Sequence, residues 1–288
     1  MLKRRDVLLL LAPAHGLVLA LVAAPAVALL WLSLHTSSFG LGATWAGLAN
    51  YAAVLADPRF WGAMRNTAVV VLVVVHAELL LGLLLALLFA SGLPMRRVLL
   101  AAALAPYAVS EVAAVVVWRW LLDPEVGPLA AALRLVGLPT LEWAVSPSAG
   151  LAVVALLGVW LNLPFTFVLL YAARLSVPGE LYEAARVDGA TPWQAFRRVT
   201  LPAMLPAILV AALFRMVFAF RLFGEVWLLT GGGPARQTEV VAVYLYLEAF
   251  RYNAFGPAAA TGFLMVAASL LLAAPYLLRL ARARGAEG

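Results

Sequence analysis

Six long apolar runs set the pattern of this chain, at about Leu8–Leu34, Ala68–Ala90, Leu99–Leu121, Ala149–Tyr171, Leu205–Leu228 and Ala258–Leu280. The hydrocarbon core of a bilayer is roughly 30 Å thick and a helix rises about 1.5 Å per residue, so a run of about 20 apolar residues spans it. The runs lack the period-two alternation of a β-barrel, and lipid admits only helices or closed barrels. The pattern therefore predicts an all-α membrane protein with six transmembrane helices, forming one transmembrane domain over residues 1–288. The longest polar interruption, Glu180–Pro202, lies between the fourth and fifth runs. Its residues predict two short helices joined by a tight turn. Pro178 suits a first-turn position, Glu180 and Glu183 lie near a positive helix start, and Gly189 suits a left-handed C-cap. Thr191 can cap a second helix that opens on Pro192, with Gln194 three residues on, as a capping box requires. Pro202 and Pro206 are expected to mark where the chain turns back towards the next run.

Composition agrees with membrane embedding. The 288 residues are 65% hydrophobic and 12% charged, with a mean hydropathy of +1.00, too apolar for a soluble domain. The net charge of +6 does not indicate nucleic acid, because the basic residues flank the apolar runs and are not gathered on a polar face. With the N-terminus inside, Lys3, Arg4, Arg5, Arg96, Arg97, Arg174, Arg186, Arg197, Arg198, Arg279, Arg282 and Arg284 are cytoplasmic. They outnumber two to one Arg59, Arg65, Arg119, Arg134, Arg236 and Arg251 on the other side. This bias puts both termini and the polar stretch, about residues 174–206, in the cytoplasm. A signal peptide is weighed against, although Ala26-Val-Ala28 resembles a cleavage site, because the first run continues through Leu29–Leu32 and exceeds the roughly 7–15 residues of a signal core. Cysteine is absent, so there is no thiolate metal site, and the three histidines have no metal-binding spacing.

Polar residues inside the runs are the candidates for chemistry. His15 reads as structural. His76, Glu78 and Glu111 are ionisable groups at membrane depth, where they face a cavity or hydrogen-bond to another helix or subunit. In the fourth run Pro164 frees a backbone carbonyl near Trp160, while Asn162 and Thr166 supply polar side chains. This is either a broken helix of the kind that forms transport sites or a kink packed on a neighbour. Trp160, Asn162 and Thr166 are accordingly candidates for lining a pathway. The fifth run carries Arg215, Arg221 and Glu225, and the i,i+4 spacing of the last two lets them pair on one helix face or contact a substrate. Thr230-Gly-Gly-Gly-Pro234 lacks the Lys-Ser or Lys-Thr of a nucleotide-binding loop. The basic tail after Leu278 suits lipid headgroups.

The polar elbow has two open readings from its chemistry: a protein-docking surface anchored by Trp193 and Phe196, or a helix lying on lipid. Glu183-Ala-Ala185, Gly189 and Val199-Thr-Leu-Pro202 at their spacing resemble the coupling-loop signature of binding-protein-dependent ABC importer permeases, with Val199 where that family usually has isoleucine. Gly47-Leu-Ala-Asn-Tyr51, Asp57-Pro-Arg-Phe-Trp61, Asn66-Thr67 and Thr230–Pro234 resemble the carbohydrate, maltose-type branch. The resemblance implies a sugar importer of the inner membrane of a prokaryote. It also implies a second permease subunit, two ATP-binding cassette subunits and an extracytoplasmic sugar-binding protein. The chain itself would hold no cofactor, since ATP and Mg belong to the partner ATPase. Carried over by position, Glu183, Ala184, Ala185, Asp188, Gly189, Leu201 and Pro202 are its ATPase-coupling residues. Gly189→Asp is then expected to uncouple transport through a clash at the turn. The rival readings are a permease of the same class for a solute such as glycerol phosphate, an ion-coupled secondary transporter, and a membrane enzyme.

Overall fold

The computed structural model describes the backbone of residues 4–38 and 42–285 and the side chains of residues 11–38 and 42–281. Lys3 and the side chains of Arg4, Arg5, Arg282 and Arg284 lie outside the described residues. Helix α1 (Arg4–Ser33) leads into a two-strand hairpin, β1 (His35–Thr36) antiparallel to β2 (Thr44–Trp45), then α2 (Ala49–Ala56) and the long α3 (Pro58–Ala90). There follow α4 (Arg96–Leu104), α5 (Glu111–Leu121), α6 (Pro128–Leu135) and α7 (Pro147–Leu175). The elbow is α8 (Gly179–Val187) and α9 (Pro192–Ala195), and the chain ends through α10 (Leu201–Ala219), α11 (Gly224–Leu229), α12 (Val241–Tyr246) and α13 (Phe255–Gly285).

Among the described residues five stretches are long and apolar enough to cross a membrane, with ends at Leu11–Ser33, Pro58–Ala90, Pro147–Leu175, Pro192–Ala219 and Phe255–Ala281. The third predicted span is not one helix. Arg96–Ala108 and Glu111–Leu121 meet at a bend of 100°. Pro106 sits in a 3-10 turn, and the Ser110 hydroxyl then accepts the Ala113 N–H at 3.3 Å and starts α5 afresh. The fifth run is also divided, because α10 stops at Ala219 and α11 begins at Gly224. By contrast α7 passes through Pro164 unbroken. The chain does not turn back at Pro202 or Pro206 either. A π-helical turn over Phe196–Thr200 widens the backbone where the Pro202 ring would crowd the preceding carbonyl, and α10 runs on through both prolines.

The chain divides into two compact units, Met1–Trp61 with Tyr244–Val266, and Gly62–Val243 with Ala267–Gly288. In the first, Asn50 clips the end of α1 to the hairpin by donating to Ser33 O and His35 O, both at 2.9 Å. Asp57 precedes Pro58 and accepts the Arg59 N–H at 2.9 Å, an N-cap for α3. It also accepts the Tyr244 hydroxyl at 3.0 Å and pairs with the Arg59 guanidinium at 3.0 Å. Burial raises the Asp57 pKa, but these hydrogen bonds outweigh it and leave the carboxyl below its ordinary value.

In the second unit the core lies between α3, α7 and α10, where Phe89, Phe167, Leu170, Tyr171 and Met204 are buried together. Lipid tails are as apolar as these side chains, so close packing and polar contacts, not expulsion from water, hold such helices together. Asn66 donates to Gln237 O at 2.8 Å and Glu239 O at 2.9 Å, and the Thr67 hydroxyl accepts the Val241 N–H at 2.8 Å. The Thr238 hydroxyl lies 2.8 Å from the Thr230 hydroxyl and 2.6 Å from Gly233 O and shares its one proton between them, which closes the glycine-rich loop on itself.

Candidate functional site

Two places in the second unit gather the polar residues, a cavity between the helices and the elbow. The cavity has a volume of about 320 Å³, and its wall includes Tyr107, Glu111, Asn162, Arg215, Arg221 and Glu225. The breaks in the third and fifth runs open it. Glu111 begins α5 and Glu225 lies in the first turn of α11, so the two restarted helices bring both carboxylates to one wall. Their close approach depends on Gly224, since a Cβ there would fall on the Glu111 carboxylate.

Arg215 supports this wall from within. Its Nη2 donates to Glu78 Oε1 at 2.8 Å, its Nε donates to Glu78 Oε2, and its Nη1 donates to Asn162 Oδ1 at 3.2 Å. Thr166 donates to Glu78 Oε2 at 3.4 Å. Glu78 is fully buried and Arg215 is 6% exposed, so the fork of the guanidinium matches a carboxylate held away from solvent. The pair ties α3 to α10, and Asn162 and Thr166 join α7 to both. The expected pairing of Arg221 with Glu225 needs one helix through both, and the break after Ala219 removes it. Both line the cavity instead.

The other candidates are placed as follows. Trp160 packs on Trp118 with ring centroids 5.7 Å apart, and it is not on the cavity wall. Thr166 is buried against Glu78, leaving Asn162 as the polar residue of that group facing the cavity. His76 is exposed, and its Nε2 meets the Tyr276 hydroxyl at 2.9 Å. The wall also contains Phe165 and Phe218, which sequence reading missed because an aromatic facing a cavity looks the same in an apolar run as one facing lipid. Tyr107 did carry a signal, its place beside Pro106.

The elbow follows its local chemistry closely. Gly189 has φ +73° and closes a Schellman motif, with its N–H on Arg186 O at 3.0 Å and the Ala190 N–H on Ala185 O at 2.9 Å. Thr191 and Gln194 form both bonds of the capping box, at 3.3 and 2.8 Å. Pro178 is the N-cap residue of α8, one position before its expected place. Nothing lies within 4 Å of a Cβ built on Gly189, so the clash expected there does not occur. Glu183, Ala184 and Asp188 are exposed and Ala185 is half-buried. Leu201 and Pro202 open α10. Trp193 is 67% exposed and stacks on Phe196 at 5.3 Å.

Residues 78–278 match the family of the binding-protein-dependent transport system inner membrane component. The trehalose transport system permease protein SugA of Mycobacterium tuberculosis (strain ATCC 25618 / H37Rv) is 37% identical over 253 residues, covering 87% of this chain and 80% of the relative. The sulfoquinovosyl glycerol transport system permease protein SmoG of Agrobacterium fabrum is 34% identical over 275 residues, covering 93% and 88%. The fold is similar to a chain in the crystal structure of a bacterial ABC transporter involved in the import of the acidic polysaccharide alginate. That match has a TM-score of 0.84 at 23% identity, and covers 97% of this chain and 96% of the other.

Proposed function

The chain belongs to the family of binding-protein-dependent transport system inner membrane components, and from that premise we propose that its cargo is a sugar. It is the membrane-embedded permease of an ABC importer and not an enzyme. The observation that carries the cargo is the similarity, over most of the chain, to permeases named for trehalose and for sulfoquinovosyl glycerol. The cavity chemistry is compatible with it. Glu111, Asn162 and Tyr107 offer hydrogen-bonding groups for hydroxyls, and Phe165 and Phe218 offer apolar faces for a sugar ring.

In this reading the chain sits in the cytoplasmic membrane of a prokaryote with both termini inside and the elbow on the cytoplasmic face. A second permease subunit completes the pathway, and an extracytoplasmic sugar-binding protein delivers the cargo. Two ATP-binding cassette subunits hold ATP and Mg and dock on the elbow through Glu183, Ala184, Ala185 and Asp188, with Gly189 setting the turn that presents them. Leu201 and Pro202 carry the motion into α10. Closure of the ATPase pair pulls the elbow, and the helices on either side of it turn about the cavity, opening it alternately to each side.

The test is reconstitution of the chain with its partner subunits in liposomes, with a panel of sugars offered to the external binding protein. ATP-dependent uptake of a sugar is expected, and equal uptake by the isolated chain without an ATPase would sink the proposal. The same assay tests the cavity. Gly224→Ala is expected to insert at the wild-type level, because the obstructing Glu111 carboxylate is the end of a flexible side chain and can swing aside. Uptake should nevertheless fall about threefold or more, the scale of one displaced hydrogen-bonding group. Unchanged uptake would remove Glu111 from the working part of the wall.

A further inference from the structure

Helix α8 is held to the bundle by few side chains. Of its 9 residues, Tyr182 and Ala185 are half-buried and the rest are exposed. Tyr182 is the large one, and it touches the structure on both sides of the elbow. Its hydroxyl hydrogen-bonds the Thr200 hydroxyl at 2.9 Å, and its ring faces the Arg174 guanidinium, whose Cζ lies 4.5 Å from the ring centroid. It also packs against the core cluster that contains Tyr171, Val177 and Met204. Arg174 is in the last turn of α7, and Thr200, 3% exposed, ends the π-helical turn that feeds α10. These are the two helices that reach the cavity through Asn162 and Arg215.

We propose that Tyr182 is a positioning residue of transport, a pin that makes α8 move with the α7–α10 pair, with Thr200 and Arg174 as its two seats. The inference rests on the reading of the chain as an ATP-driven permease. Without the pin, α8 is joined to the bundle mainly through the backbone at Pro178 and at the Gly189 turn, and it can rock about those joints without displacing α10. With it, a hydroxyl on one side and a cation over the ring face on the other fix both the position and the rotation of α8. The geometry also explains why the pin is a tyrosine. Phenylalanine would keep the ring face and the packing but lose the bond to Thr200.

The importer is assembled with Tyr182→Phe, Thr200→Val, Thr200→Ser and the Tyr182→Phe/Thr200→Val pair. Uptake per ATP hydrolysed is expected to fall about threefold to tenfold in Tyr182→Phe and Thr200→Val, the scale of one lost hydrogen bond. Thr200→Ser should restore the ratio, and the double variant should be no worse than either single one. Losses that multiply, a normal ratio in Tyr182→Phe, or failure of the ATPase subunit to co-purify would overturn the pin. A second measurement does not depend on transport. The chain has no cysteine, so spin labels at Glu180→Cys and Ala203→Cys report the α8–α10 distance alone. The distribution should broaden when the Tyr182 hydroxyl is removed. An unchanged distribution overturns the pin even if the importer works. Absence of ATP-driven uptake by the unaltered complex, with the expected broadening, would count against the importer reading and leave the mechanical role standing.

Discussion

Arg215→Met is expected to destabilise the folded chain by about 3–5 kcal/mol, the scale on which removing one partner of a buried ion pair leaves the other charge uncompensated. Glu78 is fully buried, and both its oxygens are held by Arg215. The Thr166 hydroxyl at 3.4 Å cannot replace a guanidinium. Interhelical hydrogen bonds in membranes average about 0.6 kcal/mol and this one is long at 3.4 Å, so Thr166→Val should cost much less than Arg215→Met. The double variant Glu78→Gln/Arg215→Met removes both charges and should recover most of the loss, because the desolvation of each charge disappears with it. Thermal denaturation of the purified chain in detergent, followed by the loss of monodisperse protein, ranks the variants. If Arg215→Met and Thr166→Val melt together, the pair is not what joins α3, α7 and α10.

The ion pair also shows where the sequence stops being informative. Local spacing connects Arg221 to Glu225, four residues away, and offers nothing to connect Arg215 to Glu78, far off in the chain. The break after Ala219 undoes the local pairing, and the apolar pattern conceals that break because Phe220, Leu222 and Phe223 carry the run across it. Pro106 and Pro164 look alike in sequence. One ends a helix because Ser110 stands ready to cap the next, and the other is absorbed within a helix packed against its neighbours. At the elbow, by contrast, caps and turns act within a few residues, so Gly189, Thr191, Pro192 and Gln194 are placed by local chemistry alone. Five of the six spans were legible in outline because their apolar lengths answer to the bilayer, whereas the third run is two helices meeting at a bend of 100°. The outlying motifs that resemble a sugar branch have structural work to do: Asn50, Asp57, Asn66 and Thr230 each fasten one segment to another. The cavity was the least legible part. Its wall draws on five separate helices, α3, α5, α7, α10 and α11, and the side chains that face inward are told apart from those that face lipid only by packing.

Gly189→Val is expected to cut ATP-driven uptake by at least about tenfold while the chain still inserts, because a β-branched residue resists a left-handed backbone that costs ordinary residues roughly 1–2 kcal/mol. The space around the glycine is open, so the penalty is torsional and not steric. If valine forces φ negative, the bonds from residue 189 to Arg186 O and from Ala190 to Ala185 O are lost together, and the end of α8 is no longer directed into the capped start of α9. Aspartate distinguishes the two causes. It is among the residues that enter the left-handed region more readily, so Gly189→Asp should retain far more uptake than Gly189→Val. A clash would penalise both alike. Uptake per ATP hydrolysed is the quantity to compare, with co-purification of the ATPase measured beside it. Equal loss in the two variants would mean that the surface around residue 189 is itself covered by a partner and that a side chain of any kind obstructs it. In that case the turn matters as a contact, whereas a loss confined to valine makes it a joint whose angle sets how far α10 moves.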